Sequence, residues 1–545
     1  MQRREFLRHS SLLAAGLLLG CNQQVRSGRR RRPNILLIMA DDIGYSDIGC
    51  YGGEIRTPHL DALAAGGLRF TQFYNAARCC PTRASLLTGL YPHQTGIGHM
   101  VYRDKGPGYR VKLNEHCVTL GEVMKGAGYH TMMAGKWHVG HEPGVFPSDR
   151  GFERFYGIHK HVDSYFKVLD GCGVYENGKL VIAPTSDPPN ELHPNCEWYT
   201  TDVFTDQALE MLDQAARTDT PFLLYVAYNS PHWPLEAHDE DIARYRGKYR
   251  GGWSEIRRRR YERMREMGIL REEWRLPEID LPDWDALSDD DRDNLDFRRA
   301  IYAAQIDRMD QNIGRIIDKL KSQGIFDNTL VLFLSDNGCS AEPESQMFGY
   351  RFQQNRVENF ERWRKQSGRS SSQGLAWATA SNTPFRKYKR WTHEGGIATP
   401  LIVHWPDAIK EPGGLTHQRG HVIDIMATCV DVGGATYPNR HQGHGVHQME
   451  GASLVPALRG GQIERAKPLF WEHEGNRAIR QGKWKLVAGG PAGQWELYDL
   501  DADRTECNNL AAKYPAKVKD MAETWQHWAL ERNVLPWPWK PAYPI

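Results

Sequence analysis

Short runs of apolar residues alternate with amphipathic stretches along most of the chain. Four such runs lie at residues 34–40, 222–228, 329–334 and 400–404. Continuous apolar runs of this length are typical of strands buried on both faces, as in a parallel sheet. Between the runs, apolar residues recur at helical spacing, as at Tyr302, Ile306, Met309, Ile313, Ile316 and Leu320. The alternation predicts an α/β fold, with helices on both faces of a large, mostly parallel sheet.

The pattern changes near residue 466. Short alternating segments at 478–480, 483–487 and 496–499, separated by Gly-containing turns, predict antiparallel strands, and residues 513–531 predict a helix. We therefore divide the chain into an N-terminal segment at 1–32, a main domain at 33–465 and a small C-terminal α+β subdomain at 466–545.

Three polar segments of the main domain invite functional interpretations. Residues 236–295 are charge-rich and include Arg257 to Arg260, and we interpret them as a solvated helical excursion rather than a binding patch. Residues 340–380 are polar and are interpreted as a second insertion, a candidate lid. A Gly-rich cluster of three histidines resembles a metal site, but a loop is the preferred interpretation; its members are His441, His444 and His447.

The N-terminus has the pattern of an export signal. Arg3 and Arg4 precede an uncharged, mostly apolar run at 11–20, and Cys21 follows. The run is shorter than the ~20 residues that span a bilayer, and twin arginines mark the bacterial Tat route. Leu-Leu-Gly-Cys also resembles a lipobox, with Cys21 as the lipidated residue; the alternative is a plain signal peptide cut elsewhere. We expect an exported bacterial protein, periplasmic or anchored to the membrane by this lipid alone.

Amino-acid composition excludes several classes of protein. The chain is 40% hydrophobic and 25% charged, which excludes disordered, collagen-like and multi-span membrane proteins. With 69 basic and 67 acidic residues the net charge is +2, so bulk charge does not support a nucleic-acid partner. Export permits disulfides, and Cys172 with Cys196 is a candidate pair.

Candidate chemistry follows two of the predicted strands. Asp41-Asp42 comes directly after the first, and Asp336-Asn337 follows the strand at 329–334. Ligands of open α/β sheets bind beyond the carboxyl ends of the strands. Each cluster alone is typical of a turn, but together they offer three carboxylates and one amide oxygen, which suit Ca²⁺ or Mg²⁺ and not zinc.

A third motif is Cys79-Cys80-Pro81-Thr82-Arg83, which runs into an apolar helix face. Pro81 suits the first helical turn, so Cys79 would lie at a helix N-terminus, where the dipole lowers the pKa of a thiol. Arg83 is four residues on and hence on the same side of the helix. The alternative is a structural or disulfide cysteine pair.

This motif, with Ala-Ser-Leu-Leu-Thr-Gly after it, resembles the signature of type I sulfatases, which have the alkaline phosphatase-like fold. Further elements resemble that family in order: Asp41-Asp42, Gly135-Lys136-Trp137-His138, Ser230-Pro231-His232, Asp336-Asn337-Gly338, and Thr383-Pro384-Phe385-Arg386-Lys387-Tyr388-Lys389 before Glu394-Gly395-Gly396. The resemblance covers roughly residues 33 to 510. Small departures are Thr82 for the commoner Ser, Arg78 before Cys79 where a small or apolar residue is usual, and Tyr388 and His393 in the last block.

The resemblance implies a mechanism. In that family the cysteine, here Cys79, is oxidised by a maturation enzyme to formylglycine, whose hydrate is the nucleophile and a further metal-binding group. One Ca²⁺ or Mg²⁺ would be held by Asp41, Asp42, Asp336 and Asn337. The sulfate charge would be offset by Arg83, Lys136 and Lys389. His138 would orient the hydrate and accept its proton, and His232 with Lys389 would act as general acid towards the leaving oxygen.

The expected function is therefore an arylsulfatase-like sulfuric ester hydrolase acting on sulfate monoesters, with sulfated carbohydrates as the expected substrates. Its expected partners are that substrate, the maturation enzyme and the Tat machinery, with no nucleic acid. The nearest alternative is a phosphodiesterase or phosphonate monoester hydrolase on the same scaffold. A non-catalytic glycan-binding lipoprotein is a further alternative, which the filled nucleophile and metal positions argue against.

Overall fold

The computed structural model describes residues 32–161, 164–168, 173–183, 198–342, 372–535 and 537. The export-signal residues Arg3, Arg4 and Cys21 lie outside these ranges. So do both members of the candidate disulfide, Cys172 and Cys196, and most of the candidate lid. The described cysteines, from Cys50 to Cys507, are all free thiols.

A ten-stranded sheet lies at the centre of the described chain, in the order β10-β2-β9-β8-β1-β7-β3-β4-β5-β6. Its strands are β1 Asn34–Ala40, β2 Leu68–Tyr74, β3 His130–Lys136, β4 Arg154–Ile158, β5 Val174–Glu176, β6 Lys179–Ile182, β7 Phe222–Ala227, β8 Thr329–Ser335, β9 Ala398–His404 and β10 Gly414–His421. Strands β8, β1, β7, β3 and β4 run parallel. Strand β9 runs antiparallel to both of its neighbours, as do β5 and β6 at the far edge.

All four predicted strands of this sheet are present, and the first has the predicted bounds. The expectation of a parallel direction is wrong for the strand at 400–404, which is β9. A continuous apolar run reports burial on both faces, and β9 is buried throughout; the run carries no information about strand direction.

Helices cover both faces of the sheet. They are α1 Pro58–Ala65, α2 Cys79–Thr88, α3 Leu120–Gly126, α4 Thr200–Ala215, α5 Asp239–Ala243, α6 Gly252–Glu266, α7 Asp289–Ser322, α8 Gly374–Ser381, α9 Glu394–Ile397, α10 Asp424–Gly433, α11 Val455–Leu458 and α12 Pro515–Glu531. Short 3₁₀ turns occur at Gly49–Tyr51 and Pro92–Thr95. None of the helices within the described ranges is long and apolar enough to cross a membrane.

Strand β1 contributes to two separate cores because its side chains alternate between the faces of the sheet. Leu36 and Ile38 pack in the core covered by α1, α4 and α7. Ile35 and Leu37 pack in the core covered by α2, α3 and α10. This two-sided burial explains why β1 is apolar without interruption and confirms the layered α/β prediction.

A second, antiparallel sheet of four strands lies near the C-terminus: β13 Leu469–His473, β14 Asn476–Gln481, β15 Trp484–Ala488 and β16 Glu496–Asp499. The last three match the predicted strands, and β13 was not predicted. Helix α12 packs on this sheet, with Trp525 Nε1 donating to the Trp471 carbonyl at 3.0 Å. In the described part, the chain from Pro33 onward forms one compact unit, so the boundary at 465/466 stays a prediction.

The remaining two strands, β11 Arg440–His441 and β12 His444–Gly445, form a small hairpin. It carries two of the three clustered histidines, and His444 and His447 are exposed. The hairpin agrees with a loop rather than a metal centre. Within the described residues, the groups that could hold a metal ion lie elsewhere.

The charge-rich segment at 236–295 is only partly helical, since it contains α5, α6 and the start of α7, and it is not a solvated excursion throughout. Arg257 and Arg260 are buried, whereas Arg258 and Arg259 are exposed. Arg260 pairs with Asp47 at 2.8 Å, from Nη1 to Oδ1. Residues three apart share one helix face, so this face of α6 packs on the main domain while the other faces solvent.

Candidate active site

The carboxyl ends of four neighbouring parallel strands meet at one edge of the sheet. Strand β1 leads into Asp41, β8 into Asp336, β7 into the loop that carries His232, and β3 ends at Lys136. The strands end in register, since Ala40 pairs with Ser335 and both Met39 and Gly135 pair with Ala227. Parallel pairing therefore brings together side chains that are up to 295 residues apart in sequence.

The two acidic clusters predicted from the sequence lie in direct contact. Asp41, Asp42, Asp336 and Asn337 are all buried. The backbone N–H of Asp42 donates to Asp336 Oδ1 at 3.3 Å, and Asn337 Nδ2 donates to Asp42 Oδ1 at 2.5 Å. Asp42 has a φ of +72°, which turns the chain sharply so that consecutive carboxylates face the same space.

Each carboxylate of the cluster is matched by one buried cation. Lys136 Nζ lies 2.5 Å from Asp41 Oδ2. Lys389 Nζ lies 2.8 Å from Asp42 Oδ1, and Arg83 Nη2 lies 2.8 Å from Asp336 Oδ2. The structure thus brings all three predicted charge-offsetting residues to the acidic cluster. Arg83 comes from α2, Lys136 from β3 and Lys389 from the loop before α9.

The pKa values of Asp41, Asp42 and Asp336 reflect their burial close to one another. Burial, with Asp41 as the next cause, raises the pKa of Asp336 well above its ordinary value. Burial also raises the pKa of Asp42 to about 6, against the opposing effect of Lys389. The pKa of Asp41 is lowered because Lys136, His232 and Arg83 together outweigh its burial. Asp41 is thus the one acid of these three whose surroundings favour the ionised form, and additional positive charge at the cluster would be needed to ionise Asp42 and Asp336 as readily.

The cluster fits a hard divalent cation. Asp41 Oδ1 and Asn337 Oδ1 are buried, and neither has a hydrogen-bond partner within the described residues. A buried oxygen without a partner is costly, and a cation in contact with these oxygens would remove that cost. Asp41, Asp42, Asp336 and Asn337 could therefore hold Ca²⁺ or Mg²⁺, both of which prefer carboxylate and amide oxygens.

Cys79 is the first residue of α2 and is 1% exposed. Its Sγ, the Sγ of Cys80 and a ring nitrogen of His138 lie within 4.8 Å of one another. A hydrogen bond with Cys80, aided by His138 and Lys136, lowers the pKa of Cys79 well below its ordinary value although burial opposes the shift. Burial raises the pKa of Cys80 instead. The two thiols are therefore electrostatically distinct, and Cys79 is the more acidic.

Both predicted catalytic histidines are buried at the site and neutral. Burial, with Lys136 adding to it, lowers the pKa of His138 to about 3. Burial likewise lowers the pKa of His232 to about 3, although Asp41 opposes the shift. His232 Nδ1 donates to the Trp233 carbonyl at 2.6 Å, and its Nε2 lies 3.6 Å from Asp42 Oδ2. The Nε2 atom is thus the one that faces the acidic cluster.

Glu342 belongs to this environment but was not predicted. Its Oε1 lies 2.6 Å from Arg78 Nη2, and its Oε2 lies 3.6 Å from Lys389 Nζ and accepts from Trp233 Nε1 at 3.2 Å. It follows the Asp336-Asn337-Gly338 turn in a polar stretch. Neither spacing nor periodicity distinguishes it there from a solvent-exposed acid.

Comparisons with known proteins agree with this geometry. The sulfatase family profile matches residues 33–435, and the profile named N-sulphoglucosamine sulphohydrolase, C-terminal, matches residues 385–527. An uncharacterised sulfatase of Schizosaccharomyces pombe is 32% identical, over 94% of this chain and 96% of that protein. An arylsulfatase of Klebsiella aerogenes is 34% identical, over 76% of this chain and 89% of its own length.

Solved structures show the same relationship. The structure of Ps i-CgsB in complex with k-i-k-neocarrahexaose superposes with a TM-score of 0.66 at 25% identity, covering 93% of this chain and 94% of that one. The large mixed sheet, its flanking helices and the C-terminal antiparallel sheet make up the alkaline phosphatase-like fold of these proteins. With a family match over most of its length and the matching residues gathered at one sheet edge, the chain belongs to the sulfatase family.

Proposed function

We propose that the protein hydrolyses sulfate monoesters of carbohydrates, with arylsulfatase-like activity, through a formylglycine made from Cys79 and one divalent cation. The observation that carries the proposal is the position of Cys79. It lies at the start of a buried helix, beside His138, and Arg83 of the same helix is ion-paired with Asp336 of the acidic cluster.

The chemistry of a sulfate ester explains the need for such a site. The ester carries negative charge and is a poor electrophile, so hydrolysis needs positive charge around the sulfuryl oxygens. Arg83, Lys136 and Lys389 would place three cations there, as cationic clamps do in phosphoryl transfer. The formylglycine hydrate would supply the attacking oxygen and a second hydroxyl for release of sulfate. A Ca²⁺ or Mg²⁺ held by the acidic cluster would supply Lewis-acid polarisation.

Proton transfer would be divided between the two histidines. His138 is neutral and has a ring nitrogen beside Cys79, so it would accept the proton there once the negative charge of a bound sulfate ester raises its pKa. His232 would donate through Nε2, since its Nδ1 is held by the Trp233 carbonyl. That role needs a protonated ring, and the negative charge of a bound sulfate ester favours one. Lys389 would face the leaving oxygen together with His232 and stabilise the negative charge that develops there, because Asp42 and Glu342 raise its pKa in spite of burial and keep it a cation.

The comparisons support a carbohydrate sulfate as the substrate. A human N-acetylgalactosamine-6-sulfatase is 27% identical over 91% of this chain and 78% of its own length, and the solved Ps i-CgsB complex holds an oligosaccharide. The Klebsiella relative is named an arylsulfatase. A phosphonate monoester hydrolase of Agrobacterium radiobacter is similar in fold alone, with a TM-score of 0.55 at 21% identity.

We also propose export by the Tat route and lipidation at Cys21. The support is the sequence alone: the twin arginine Arg3-Arg4, the apolar run at 11–20 and the Leu-Leu-Gly-Cys pattern. This would place the enzyme in the periplasm or on a membrane surface, where sulfated polysaccharides from outside the cell can reach it.

A paired assay tests the proposed function. Protein co-expressed with a maturation enzyme is given 4-nitrophenyl sulfate, bis-4-nitrophenyl phosphate, a 4-nitrophenyl phosphonate and a panel of sulfated sugars. We expect the highest kcat/KM on sulfate monoesters. Faster turnover of the phosphodiester or phosphonate would overturn the proposal in favour of the alternative hydrolases. Binding of sulfated sugars without any turnover would favour a glycan-binding protein.

A further inference from the structure

A second charged cluster begins at the residue before Cys79. Arg78 is the N-cap of α2 and is 5% exposed, and its Nη2 contacts Glu342 Oε1 at 2.6 Å. Burial lowers the pKa of the guanidinium, but the carboxylates of Glu342 and Glu474 outweigh burial and raise it above its ordinary value. Arg78 is thus a permanent cation held among carboxylates, one residue from the nucleophile precursor.

A tight turn of the C-terminal sheet brings Glu474 to this cluster. Glu474 and Gly475 join β13 to β14, and His473 pairs with Asn476 across the turn. Both turn residues have positive φ, +50° and +82°, as in a type I′ hairpin turn, where Asn or Gly is preferred at the first position. A glutamate there is strained, and backbone strain of this kind clusters at functional sites.

Glu474 is fixed from two sides. Its Oε2 accepts from Arg390 Nε at 2.6 Å, and its Oε1 accepts from His99 Nε2 at 3.1 Å. The rings of His99 and His473 stack with their centroids 5.4 Å apart and an angle of 11° between planes. The backbone N–H of Arg390 donates to the Ala77 carbonyl at 2.8 Å. Three loops from distant parts of the chain are therefore joined beside Cys79.

The cluster carries hydrogen-bonding capacity that the described residues leave unused. Arg78 Nε and Nη1, and both ring nitrogens of His473, are buried with no hydrogen-bond partner in the described part of the chain. Such groups are rare in folded proteins because each costs its desolvation energy. Tyr102, which lies near enough to Arg78 to affect its pKa, is 55% exposed. Unused donors beside an exposed aromatic ring indicate a ligand.

We propose that Arg78, His99, Tyr102 and Glu474 form a subsite for the uncharged hydroxyl groups of the sugar ring whose sulfate is cleaved, an inference that rests on the proposed sulfatase function. The charges favour hydroxyl groups over a second anion, since Glu342 and Glu474 balance the two cations, Arg78 and Arg390. A hydroxyl group both donates and accepts, which matches a guanidinium and a carboxylate side by side. His473 is fully buried and is a positioning residue that holds the His99 ring.

The subsite lies within reach of a sugar whose sulfate is at Cys79. Successive Cα atoms are about 3.8 Å apart, so Arg78 begins next to the reacting group. The loop that carries His99 and Tyr102 also touches it, because Met100 Sδ lies 3.7 Å from Cys79 Sγ. Aryl sulfates have no hydroxyl groups to place there, so the subsite would select sugars over 4-nitrophenyl sulfate.

The test is the ratio of kcat/KM for a sulfated sugar to kcat/KM for 4-nitrophenyl sulfate. The sugar is the best substrate among galactose 6-sulfate, N-acetylgalactosamine 6-sulfate, N-acetylglucosamine 6-sulfate and a carrageenan oligosaccharide. We expect Arg78→Ala to lower this ratio about tenfold or more, the effect of losing one hydrogen bond to a charged group. Arg78→Lys keeps the charge but not the Nε donor and should give an intermediate ratio. Arg258→Ala, an exposed arginine on α6, is the matched control and should leave the ratio unchanged.

Two further variants separate the subsite from a general defect. Arg78→Ala leaves Glu342 beside Lys389 without its partner, so Arg78→Ala combined with Glu342→Gln should show the same low ratio. His99→Phe keeps the aromatic ring and removes both nitrogens, and it should raise KM for the sugar more than it changes kcat. Ratios equal to wild type in folded Arg78→Ala and His99→Phe proteins would overturn the inference. The inference would also be overturned if the wild-type enzyme cleaved 4-nitrophenyl sulfate but none of the sulfated sugars, a result that leaves the sulfatase activity intact. If the wild-type enzyme cleaved neither 4-nitrophenyl sulfate nor any sulfated sugar, the proposed function itself would be refuted.

Discussion

The guanidinium of Arg83 lies 2.8 Å from the carboxylate of Asp336, and neither side chain is exposed to solvent. The same guanidinium donates from Nη1 to the Lys136 carbonyl at 2.9 Å. One side chain of α2 thereby connects the end of β8 to the end of β3. The helix that begins with Cys79 is held in a fixed position over the acidic cluster by this contact, which links packing of the fold directly to the geometry of the site.

Arg83→Ala should therefore destabilise the protein as well as inactivate it. Removing one partner of a buried ion pair leaves the other charge uncompensated, at a cost of about 3–5 kcal/mol. Arg83→Lys keeps the charge and loses the planar fork, so its free energy of unfolding should lie between those of Arg83→Ala and wild type. Chemical denaturation of all three proteins measures this order of unfolding free energies, with Arg258→Ala as the surface control. Wild-type stability of Arg83→Ala would show that the ion pair does not hold α2.

Metal removal is the second test. Chelation should abolish sulfatase activity, and Ca²⁺ or Mg²⁺ should restore it, because the acidic cluster offers only oxygen ligands. Asp336→Asn should weaken cation binding measured by calorimetry, whereas Asp290→Asn, at an exposed position of α7, should not. Metal content by mass spectrometry gives a readout that does not depend on turnover. Full activity in protein shown to be free of metal would refute the assignment.

The sequence predicted the strands whose neighbours bury both faces. Strand β1 is apolar at almost every position because two cores contact it. Strands β2, β3 and β10 were not predicted because they carry polar residues that only the folded chain can satisfy. In β2, for example, the Thr71 hydroxyl oxygen lies 2.8 Å from His417 Nδ1, and such a partner cannot be identified from a local window.

Some residues of the candidate site could also be predicted from the sequence, and others could not. Asp41 and Asp336 could be predicted to meet, because each follows a strand and parallel strands share a carboxyl edge. Glu342 and Glu474 could not, since they reach the site on loops and no spacing rule relates them to Arg78. The buried face of α6 also escaped prediction, because an arginine paired with Asp47 looks the same in the sequence as one in solvent.

The third prediction concerns acid stability and the C-terminal sheet. Glu394 is fully buried, with Oε1 2.9 Å from Lys485 Nζ and Oε2 3.2 Å from Arg504 Nε. Burial would raise the pKa of Glu394, but Lys485 and Arg504 outweigh it and lower the pKa from 4.5 to about 2. A carboxyl whose pKa is lower in the folded state stabilises the protein above its unfolded pKa. This stabilisation should be complete above pH 4.5 and be lost as the pH falls towards 2.

Glu394→Gln isolates that contribution. At pH 7 the free energy of unfolding of the variant should be about 3–5 kcal/mol lower than that of wild type, because Arg504 loses its counter-charge and Lys485 keeps only Glu506 as a partner. The difference should shrink between pH 4.5 and 2, where wild-type Glu394 also becomes neutral. Glu266→Gln, at an exposed position, is the control and should match wild type at every pH. A constant difference across this pH range would contradict the assigned shift.

The fourth prediction concerns export. Replacing Arg3 and Arg4 by lysine should leave the full-length precursor in the cytoplasm, because the Tat route reads the arginine pair. Cys21→Ser should leave export intact and abolish labelling by a radioactive fatty acid. Cell fractionation with an antibody to the C-terminus measures both. Export of the lysine variant at the wild-type level would rule out the Tat route.

The last prediction is that Cys79, and not Cys80, is the residue oxidised to formylglycine. Cys79 lies two residues before Pro81 and four before Arg83, the register of the family signature. It is also the more acidic thiol, since Cys80, His138 and Lys136 lower its pKa while burial raises that of Cys80. Successive helical residues point about 100° apart, so Cys80 does not share the helix face of Cys79 and Arg83, although the two sulfur atoms lie within 4.8 Å of each other.

The burial of Cys79 also determines when oxidation must happen. At 1% exposure and inside the first turn of α2, it cannot enter the active site of another enzyme once the chain has folded. The proposed Tat route carries folded cargo, so on that route oxidation would take place in the cytoplasm before export. Co-expression with a cytoplasmic maturation enzyme should yield active protein, whereas addition of that enzyme to purified, folded protein should not.

Two variants and one mass measurement decide the assignment. Cys79→Ala should lose essentially all turnover but stay folded, because it removes only one sulfur atom from a buried position, and it should still bind a cation through the acidic cluster. Cys80→Ala should retain much of its activity. Peptide mass spectrometry of wild-type protein should show the change from thiol to aldehyde at Cys79 alone. Oxidation at Cys80, or turnover by Cys79→Ala, would mean that the nucleophile is a different group and that the proposed mechanism is wrong.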